Sequence, residues 1–185
     1  MNLLRRTRLE DLNLSHLEMV LNWRNQDHIR KKMFQDQTIS LREHKTWFDR
    51  LKKNNRTIVK IFYFDNEPKG VVNFTNLDFD NRKCFWGFFI GDQRAPKGLG
   101  TVMGYLALNF IFEEKNICKL CAEIISFNKR SIRYHQRLGF KIEAVLKKQI
   151  IKQDEYTDVI LMALYKEEWI ENKSQIQHLI GEFEI

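Results

Sequence analysis

The spacing of apolar residues changes period along the chain. Behind Ser15, the positions Leu17, Val20, Leu21 and Trp23 recur at helical intervals, and behind Thr38 to Ser40 so do Trp47, Phe48 and Leu51. These patterns predict helices from Ser15 through Trp23 and from Leu41 to Lys53, after a short strand from Leu3 to Thr7. From Thr57 the period becomes two. Thr57 to Phe64, Gly70 to Leu77 and Cys84 to Gly91 are β-branched or aromatic runs separated by Asp65-Asn66-Glu67-Pro68 and Asp78-Phe79-Asp80-Asn81. Short Asx side chains bond the local backbone, so these separators read as turns and the three runs as an antiparallel meander. Leu99, Val102, Met103, Leu106 and Phe110 then mark one face of a helix ending near Asn116. Leu120 to Phe127 reads as a strand, Lys129 to Leu138 as a helix stopped by Gly139, Phe140 to Ile151 and Tyr156 to Tyr165 as two strands, and the tail from Glu167 as a helix. Strands alternating with helices after a meander imply an α/β fold with a mixed sheet covered by helices.

Composition sets the scale of that fold. The 185 residues are 43% hydrophobic and 30% charged with only 2 Pro and 8 Gly, which suits one domain over 1–185 without linkers or disorder. No internal repeat breaks it. With 31 basic and 24 acidic residues the chain carries +7, which favours an anionic partner. Nucleic acid, an acidic membrane and a phosphorylated cofactor or substrate all fit that sign, but no basic face interleaved with aromatics marks a nucleic-acid reader. Cys84, Cys118 and Cys121 are an odd set without framework spacing. Cys118-Lys119-Leu120-Cys121 enters a strand-like run and has no second pair to complete a metal site, so neither a disulfide nor a metal is expected. No run approaches the roughly 18 apolar residues of a membrane span, and the N-terminus lacks a signal-peptide core, so a cytoplasmic location is expected.

Candidate chemistry begins at Ile90-Gly91-Asp92-Gln93-Arg94-Ala95-Pro96-Lys97-Gly98-Leu99-Gly100-Thr101, which joins a strand to the amphipathic helix. Unbonded amides at a helix start, with the helix dipole, favour phosphate oxygens. Gly98 and Gly100 allow close approach, and Arg94 and Lys97 add positive charge. A tight turn alone would also account for the two glycines. A second passage, Ser126-Phe127-Asn128-Lys129-Arg130-Ser131-Ile132-Arg133-Tyr134-His135-Gln136-Arg137-Leu138-Gly139-Phe140, follows a strand and ends in Leu-Gly-Phe.

This pair of motifs, at this separation, resembles the GNAT family of N-acetyltransferases over roughly residues 57 to 165. The resemblance implies acetyl-CoA as cofactor and a V-shaped split between the strands at Phe88 to Ile90 and Cys121 to Ile125. It implies that Phe88, Phe89 and Ile90 offer backbone groups to pantetheine, that the amides of Lys97, Gly98, Leu99, Gly100 and Thr101 hold the pyrophosphate, and that Asn128 contacts the cofactor arm. The sequence departs from the family habit at two places. Ala95 stands where Arg or Gln commonly opens the loop, with Arg94 one place earlier, and His135 stands in the slot of the usual acid Tyr, with Tyr134 beside it.

Acetyl transfer from a thioester needs a neutral amine, donors for an oxyanion, and a proton for a thiolate whose conjugate acid has a pKa of about 8.5. Either Tyr134 or His135 can supply that proton, and adjacent helical residues point about 100° apart, so only one should face the sulfur. Glu123, a carboxylate within a strand lining the split, is the candidate base, acting directly or through water. Burial there would raise its pKa, whereas edge placement would leave it an ordinary surface charge.

Leu21-Asn22-Trp23-Arg24-Asn25, Ile39-Ser40-Leu41-Arg42-Glu43-His44 and Trp47-Phe48 further resemble the acetyltransferases of pseudaminic-acid biosynthesis. These act on the 4-amino group of a UDP-linked 4-amino-4,6-dideoxy-N-acetyl-β-L-altrosamine. On that reading the helices of about 1–55 bind the acceptor and about 57–165 bind acetyl-CoA. Arg24 and His44 could bond a diphosphate, Trp86 or Trp47 could stack on a base or sugar, and Asn73 and Thr75 could bond hydroxyls; packing roles are the plain alternative for each. A ribosomal-protein-type N-terminal acetyltransferase and a non-catalytic acyl-CoA-binding module are the competing readings. Exposed edge strands are compatible with a homodimer.

Overall fold

In the computed structural model, residues 3 to 183 are described. Seven strands form one sheet in the order β1-β2-β3-β4-β5-β7-β6. They are β1 (Thr7–Asp11), β2 (Ile58–Phe64), β3 (Glu67–Asp78), β4 (Lys83–Ile90), β5 (Lys119–Ile125), β6 (Lys141–Lys152) and β7 (Glu155–Tyr165). The helices are α1 (Leu17–Asn25), α2 (Asp27–Arg30), α3 (Leu41–Leu51), α4 (Leu99–Asn109), α5 (Lys129–Arg137) and α6 (Lys166–Gly181). The meander expected at β2, β3 and β4 is present and antiparallel, and only β4 and β5 pair in parallel. The Asx turns work by backbone conformation: Asp65 and Asn66 take positive φ (50° and 63°), which short polar residues tolerate.

The N-terminus differs from expectation. Leu3–Arg6 is a 3-10 turn and the strand starts at Thr7, because the apolar Leu3 turns into the core while Thr7 to Asp11 pair with β2. Asn13, rather than Ser15, caps the entry to the first helical segment, accepting from Ser15 N at 2.9 Å. Ser40 caps α3 as expected, in a capping box with Glu43. The α4 helix runs into a π-helical turn, Phe110–Glu114, in which Lys115 N donates to the Phe110 carbonyl.

Alternation along the strands separates two faces. On one, Phe62, Val72, Phe74, Trp86, Leu120, Ala122 and Met162 pack with α4, α5 and α6 in the main core. On the other, Val59, Ile61 and Val71 pack under α1 and α3 through Val20 and Leu51. Trp169 joins α6 to α4: it is fully buried, stacks edge-on against Tyr105 at 5.6 Å and donates Nε1 to Asn109 Oδ1 at 3.1 Å. No helix among the described residues is long and apolar enough to cross a membrane. Replacing Trp169 with Ala should therefore cost about 3–5 kcal/mol of stability, read as a lower urea midpoint with secondary structure retained at zero denaturant.

Candidate active site

The parallel pairing of β4 with β5 covers only Lys83, Cys84 and Phe85 against Lys119, Leu120 and Cys121. Beyond these residues the strands separate, although β4 stays paired to β3 through Ile90 and β5 to β7 through Ile125. The split thus opens one residue later than expected on β5, since Cys121 is still paired. An aromatic wedge fills the helix side of the opening. Trp86 stacks on Phe140 (5.5 Å, 2°), and His135 lies edge-on to both, at 5.5 and 5.0 Å. Phe88 touches Trp86, Tyr134 and His135 with centroids 4.8, 4.8 and 5.5 Å away. The inward edges of β4 and β5 therefore present backbone groups that neither strand satisfies for the other.

The loop at the end of β4 is held from two sides. Gly91 lies against the Trp23 ring, where an added Cβ would come within 2.0 Å of the indole. The carbonyl of Lys69 accepts from Gly91 N and Asp92 N, while its Nζ bonds Asp92 Oδ2 at 2.7 Å and Glu67 Oε2 at 2.6 Å. Burial pulls the Lys69 ammonium down, but the bonds to Asp92 and Glu67 outweigh it and hold the pKa raised. The Lys69 bond in turn holds the Asp92 carboxyl below its ordinary value, and Asp92 Oδ1 accepts from Arg94 N at 2.9 Å.

At the helix start Gly98 has φ of 100°, which a side chain would strain, and an added Cβ there would press on the Phe183 ring at 2.9 Å. The amides divide differently from expectation. Thr101 N donates to the Gly98 carbonyl at 2.8 Å and Leu99 N to Pro96 at 3.4 Å, which leaves the Lys97, Gly98 and Gly100 amides unbonded among the described residues. Closing the first helical turn uses the Thr101 amide. Arg94 and Lys97 are exposed, as an anion site requires. Asn128 caps α5 by accepting from Ser131 N.

These features fit a long anionic cofactor with amide groups. Two glycine amides at a helix start face no partner, cations flank them, and the opened edge of β4 supplies further donors and acceptors. Trp86 Nε1 adds an orphan: it is buried without a hydrogen bond, a deficit of about 1–3 kcal/mol until a partner arrives.

Tyr134 and His135 both border Phe88, so adjacency on the helix does not exclude either from the split. Their protons differ. Tyr134 donates its hydroxyl to the Gly100 carbonyl at 2.6 Å and packs so close to Gly104 that an added Cβ would lie 2.3 Å from its oxygen. Burial raises its pKa. His135 is 3% exposed, and its Nδ1 lies 2.8 Å from the Ser131 carbonyl, which can only accept. The Nδ1 proton is therefore committed, and burial lowers the pKa to about 4, so Nε2 is an unprotonated acceptor at neutral pH.

The acceptor-side assignments are partly redistributed. Asn73, Thr75 and Glu123 lie on the face away from the main core, around the split, and Asn73 reaches across Gly87, with its Oδ1 2.9 Å from where a Cβ would be. Glu123 is exposed rather than buried, although Cys121 and Ile125, on the same side of β5, are covered. Trp86 points to the opposite face, inside the wedge, and is not available to an acceptor. His44 is buried, stacked on Trp47 at 4.9 Å, with its Nε2 without a hydrogen bond, and burial lowers its pKa. Trp47 stays partly exposed on the outer side of that stack. Arg24 bonds the Gln35 carbonyl instead of a helix carboxylate. The residues that sequence reasoning missed are Lys69 and Asp92, whose pairing depends on strand register, and Lys152, which reaches the segment after α2. A separate cavity of about 810 Å³ between α5 and α6, bordered by Arg137, Asn172 and Leu179, takes no lining from β4, β5 or the loop.

With this geometry the comparisons agree. The model of the acetyltransferase (GNAT) domain matches residues 6–141. The chain belongs to the GNAT acetyltransferase family. Its fold superposes on the crystal structure of spermidine N-acetyltransferase from Vibrio cholerae in complex with CoA and spermine with a TM-score of 0.84, at 18% identity, over 90% of this chain and 99% of that one. The spermidine N(1)-acetyltransferase of Escherichia coli K12 is 26% identical over 63% of each chain. Acetyltransferase PseH of Campylobacter jejuni is 23% identical over 71% of this chain and 81% of its own. The [ribosomal protein uS5]-alanine N-acetyltransferase of E. coli K12 is 30% identical over 58% and 59%. The chain thus spans about three fifths of the first of these curated relatives and of the ribosomal one.

Two outcomes follow for this GNAT chain. Asp92→Asn should cost about 1.5–3 kcal/mol by leaving the Lys69 charge underpaired, and should weaken CoA binding in calorimetry, whereas Lys69→Arg should retain most of it. A histidine whose folded pKa lies below its unfolded value loses stability as pH falls, because the unfolded state binds the proton first. Between pH 6.5 and 4, wild type should therefore lose more stability than His135→Gln, by up to roughly 3 kcal/mol, measured by denaturant midpoints across that range.

Proposed function

We propose that this chain is an acetyl-CoA-dependent N-acetyltransferase acting in the cytoplasm on an anionic small-molecule amine. The acceptor we favour is the 4-amino group of a UDP-linked 4-amino-4,6-dideoxy-N-acetyl-β-L-altrosamine, of the pseudaminic-acid pathway. When bound, acetyl-CoA supplies the acetyl group as an activated thioester. The chain's own part is to hold the pyrophosphate on the Gly98 and Gly100 amides with Lys97 and Arg94 nearby, to keep the thioester arm along the open edge of β4, and to manage two protons.

Glu123, exposed beside the split, accepts the amine proton directly or through water. Tyr134 is the proton-bearing group at the wedge; its raised pKa keeps the hydroxyl protonated through the neutral range. Both protons rest on carbonyls in the free protein, that of Tyr134 on Gly100 and that of His135 on Ser131. Tyr134 must therefore release Gly100 to act as the acid, while His135, whose Nε2 is unprotonated, serves as an acceptor and as part of the wedge. The oligomeric state compatible with the free edges of β1 and β6 is a homodimer.

The observation that carries the choice of acceptor is the charge at the open end of the split. Arg24, Arg30 and Lys152 gather there around one segment, with Asp27 and Asp36 the carboxylates bonded to them. A polyamine would be repelled by such a mouth, and a nucleotide-linked amine attracted. The test is thiol release from acetyl-CoA with the UDP-4-amino sugar, spermidine, peptides with free N-termini, and no acceptor. Turnover on the sugar alone is expected, and turnover on spermidine or peptide in its place overturns the choice. With the sugar, Tyr134→Phe should lower kcat by about 10²-fold or more while leaving CoA binding within a factor of about two.

A further inference from the structure

The segment joining α2 to α3 is tied down by its carbonyls. Lys152, 8% exposed, donates Nζ to the Phe34 carbonyl at 2.7 Å and lies 3.1 Å from Asp36 Oδ2. Arg30 Nη1 donates to the Asp36 carbonyl at 2.6 Å, and Arg24 Nη2 donates to the Gln35 carbonyl. Asn25 closes the segment by exchanging two hydrogen bonds with the Ile39 backbone, at 2.8 and 2.9 Å.

Topology places this segment across the split. Because β5 runs parallel to β4, both end at the same edge of the sheet, where β4 passes into the loop at Gly91. The α1 helix reaches that edge, with Trp23 on Gly91 and Gln26 bonded to Gln93. On the far side β7 extends past the end of β5, since Ser126 N donates to the Asp158 carbonyl, and the β6–β7 turn with Lys152 lies farther out still. A segment anchored to α1 at one end and to Lys152 at the other spans the interval between β4 and β7.

One bond in this arrangement is missing. Arg24 Nη1 is buried and has no hydrogen-bond partner, and Arg24 has no carboxylate within ion-pair distance among the described residues. Burial, and then the charge of Arg30, lower the pKa of the guanidinium, while Asp36 opposes them from beyond contact. A partly buried cation with an unfilled donor is costly unless an anion is supplied.

We propose that Arg24 anchors an anionic group of the acceptor beneath a strap formed by residues 34–36, and that Lys152 is the latch holding the strap across the open end of the split. The inference rests on the nucleotide-sugar reading for the identity of the anion, a diphosphate, whose oxygens suit the planar fork of a guanidinium. Lys152 acts through the strap and is a positioning residue. Arg24 is the contact that separates anionic acceptors from cationic ones.

The test is calorimetric titration of UDP into full-length protein saturated with CoA, so that the cofactor loop does not compete for phosphate. Arg24→Gln should weaken UDP binding by at least about tenfold and Arg24→Lys by less, with CoA affinity unchanged in both. Lys152→Met should speed amide hydrogen exchange over residues 31–40 and weaken UDP in parallel. UDP binding that is equal in Arg24→Gln and wild type, or a loss shared equally with CoA, overturns the anchor, and unchanged exchange in Lys152→Met overturns the latch. Inorganic pyrophosphate separates the two levels of the claim. If it binds through Arg24 while UDP does not bind, the anchor stands and the nucleotide-sugar reading falls; if CoA-loaded wild type binds neither, the anchor itself is overturned.

Discussion

The arrangement of this protein depends on the early end of the contact between β4 and β5. Three residue pairs hold the strands together, and then Trp86, Phe88, His135 and Phe140 keep them apart. A parallel pair deprived of its ladder leaves backbone donors and acceptors open on both edges, which a packed core does not tolerate unless something else bonds them. The wedge is stable because its rings bury against α4 and α5 on one face. The opening is useful because an extended, amide-bearing cofactor can replace the missing ladder. His135 fits this scheme as a neutral ring whose proton is already spent on Ser131, so the wedge carries no charge into an apolar site.

Around that opening the chain assigns charge by location. At the helix start Lys97 and Arg94 are exposed, Arg94 with its guanidinium 3.6 Å from Asp92. One strand earlier, Lys69 is consumed in bonds to Asp92 and Glu67 and sets where the loop leaves β4. At the outer end of the split, Arg24, Arg30 and Lys152 bind main-chain carbonyls and so order a segment; Arg30 and Lys152 are also paired with Asp27 and Asp36, which leaves Arg24 as the cation without a carboxylate among the described residues. Relatives are named for spermidine and for a ribosomal-protein alanine, so the fold alone does not choose an acceptor. On the reading proposed here, the residues on the α1 side and at the hairpin tip make that distinction.

Much of this was written in local patterns. Period two from Thr57 to Gly91, the Asx turns, the stripe from Leu99 to Phe110 and the stop at Gly139 determined the strands and helices to within a few residues, because backbone preference and amphipathic burial are local properties. The glycine loop and the Asn128 to Phe140 passage likewise pointed to the family, since their order along the chain is a local property, while which amides of the helix start stay unbonded was decided by the turn itself. Which side chain faces which cavity was decided elsewhere. Trp86 and His44 have the chemistry of acceptor ligands and were placed in packed interiors by the face their strand or helix turned inward, while Glu123 was left exposed between the covered Cys121 and Ile125. Tyr134 and His135 could be told apart only once both were seen to be buried, which keeps the phenol protonated and the imidazole neutral. Lys69 with Asp92, and Lys152 with Phe34, join residues distant in sequence, and such pairs exist only after strand register and hairpin length bring them together.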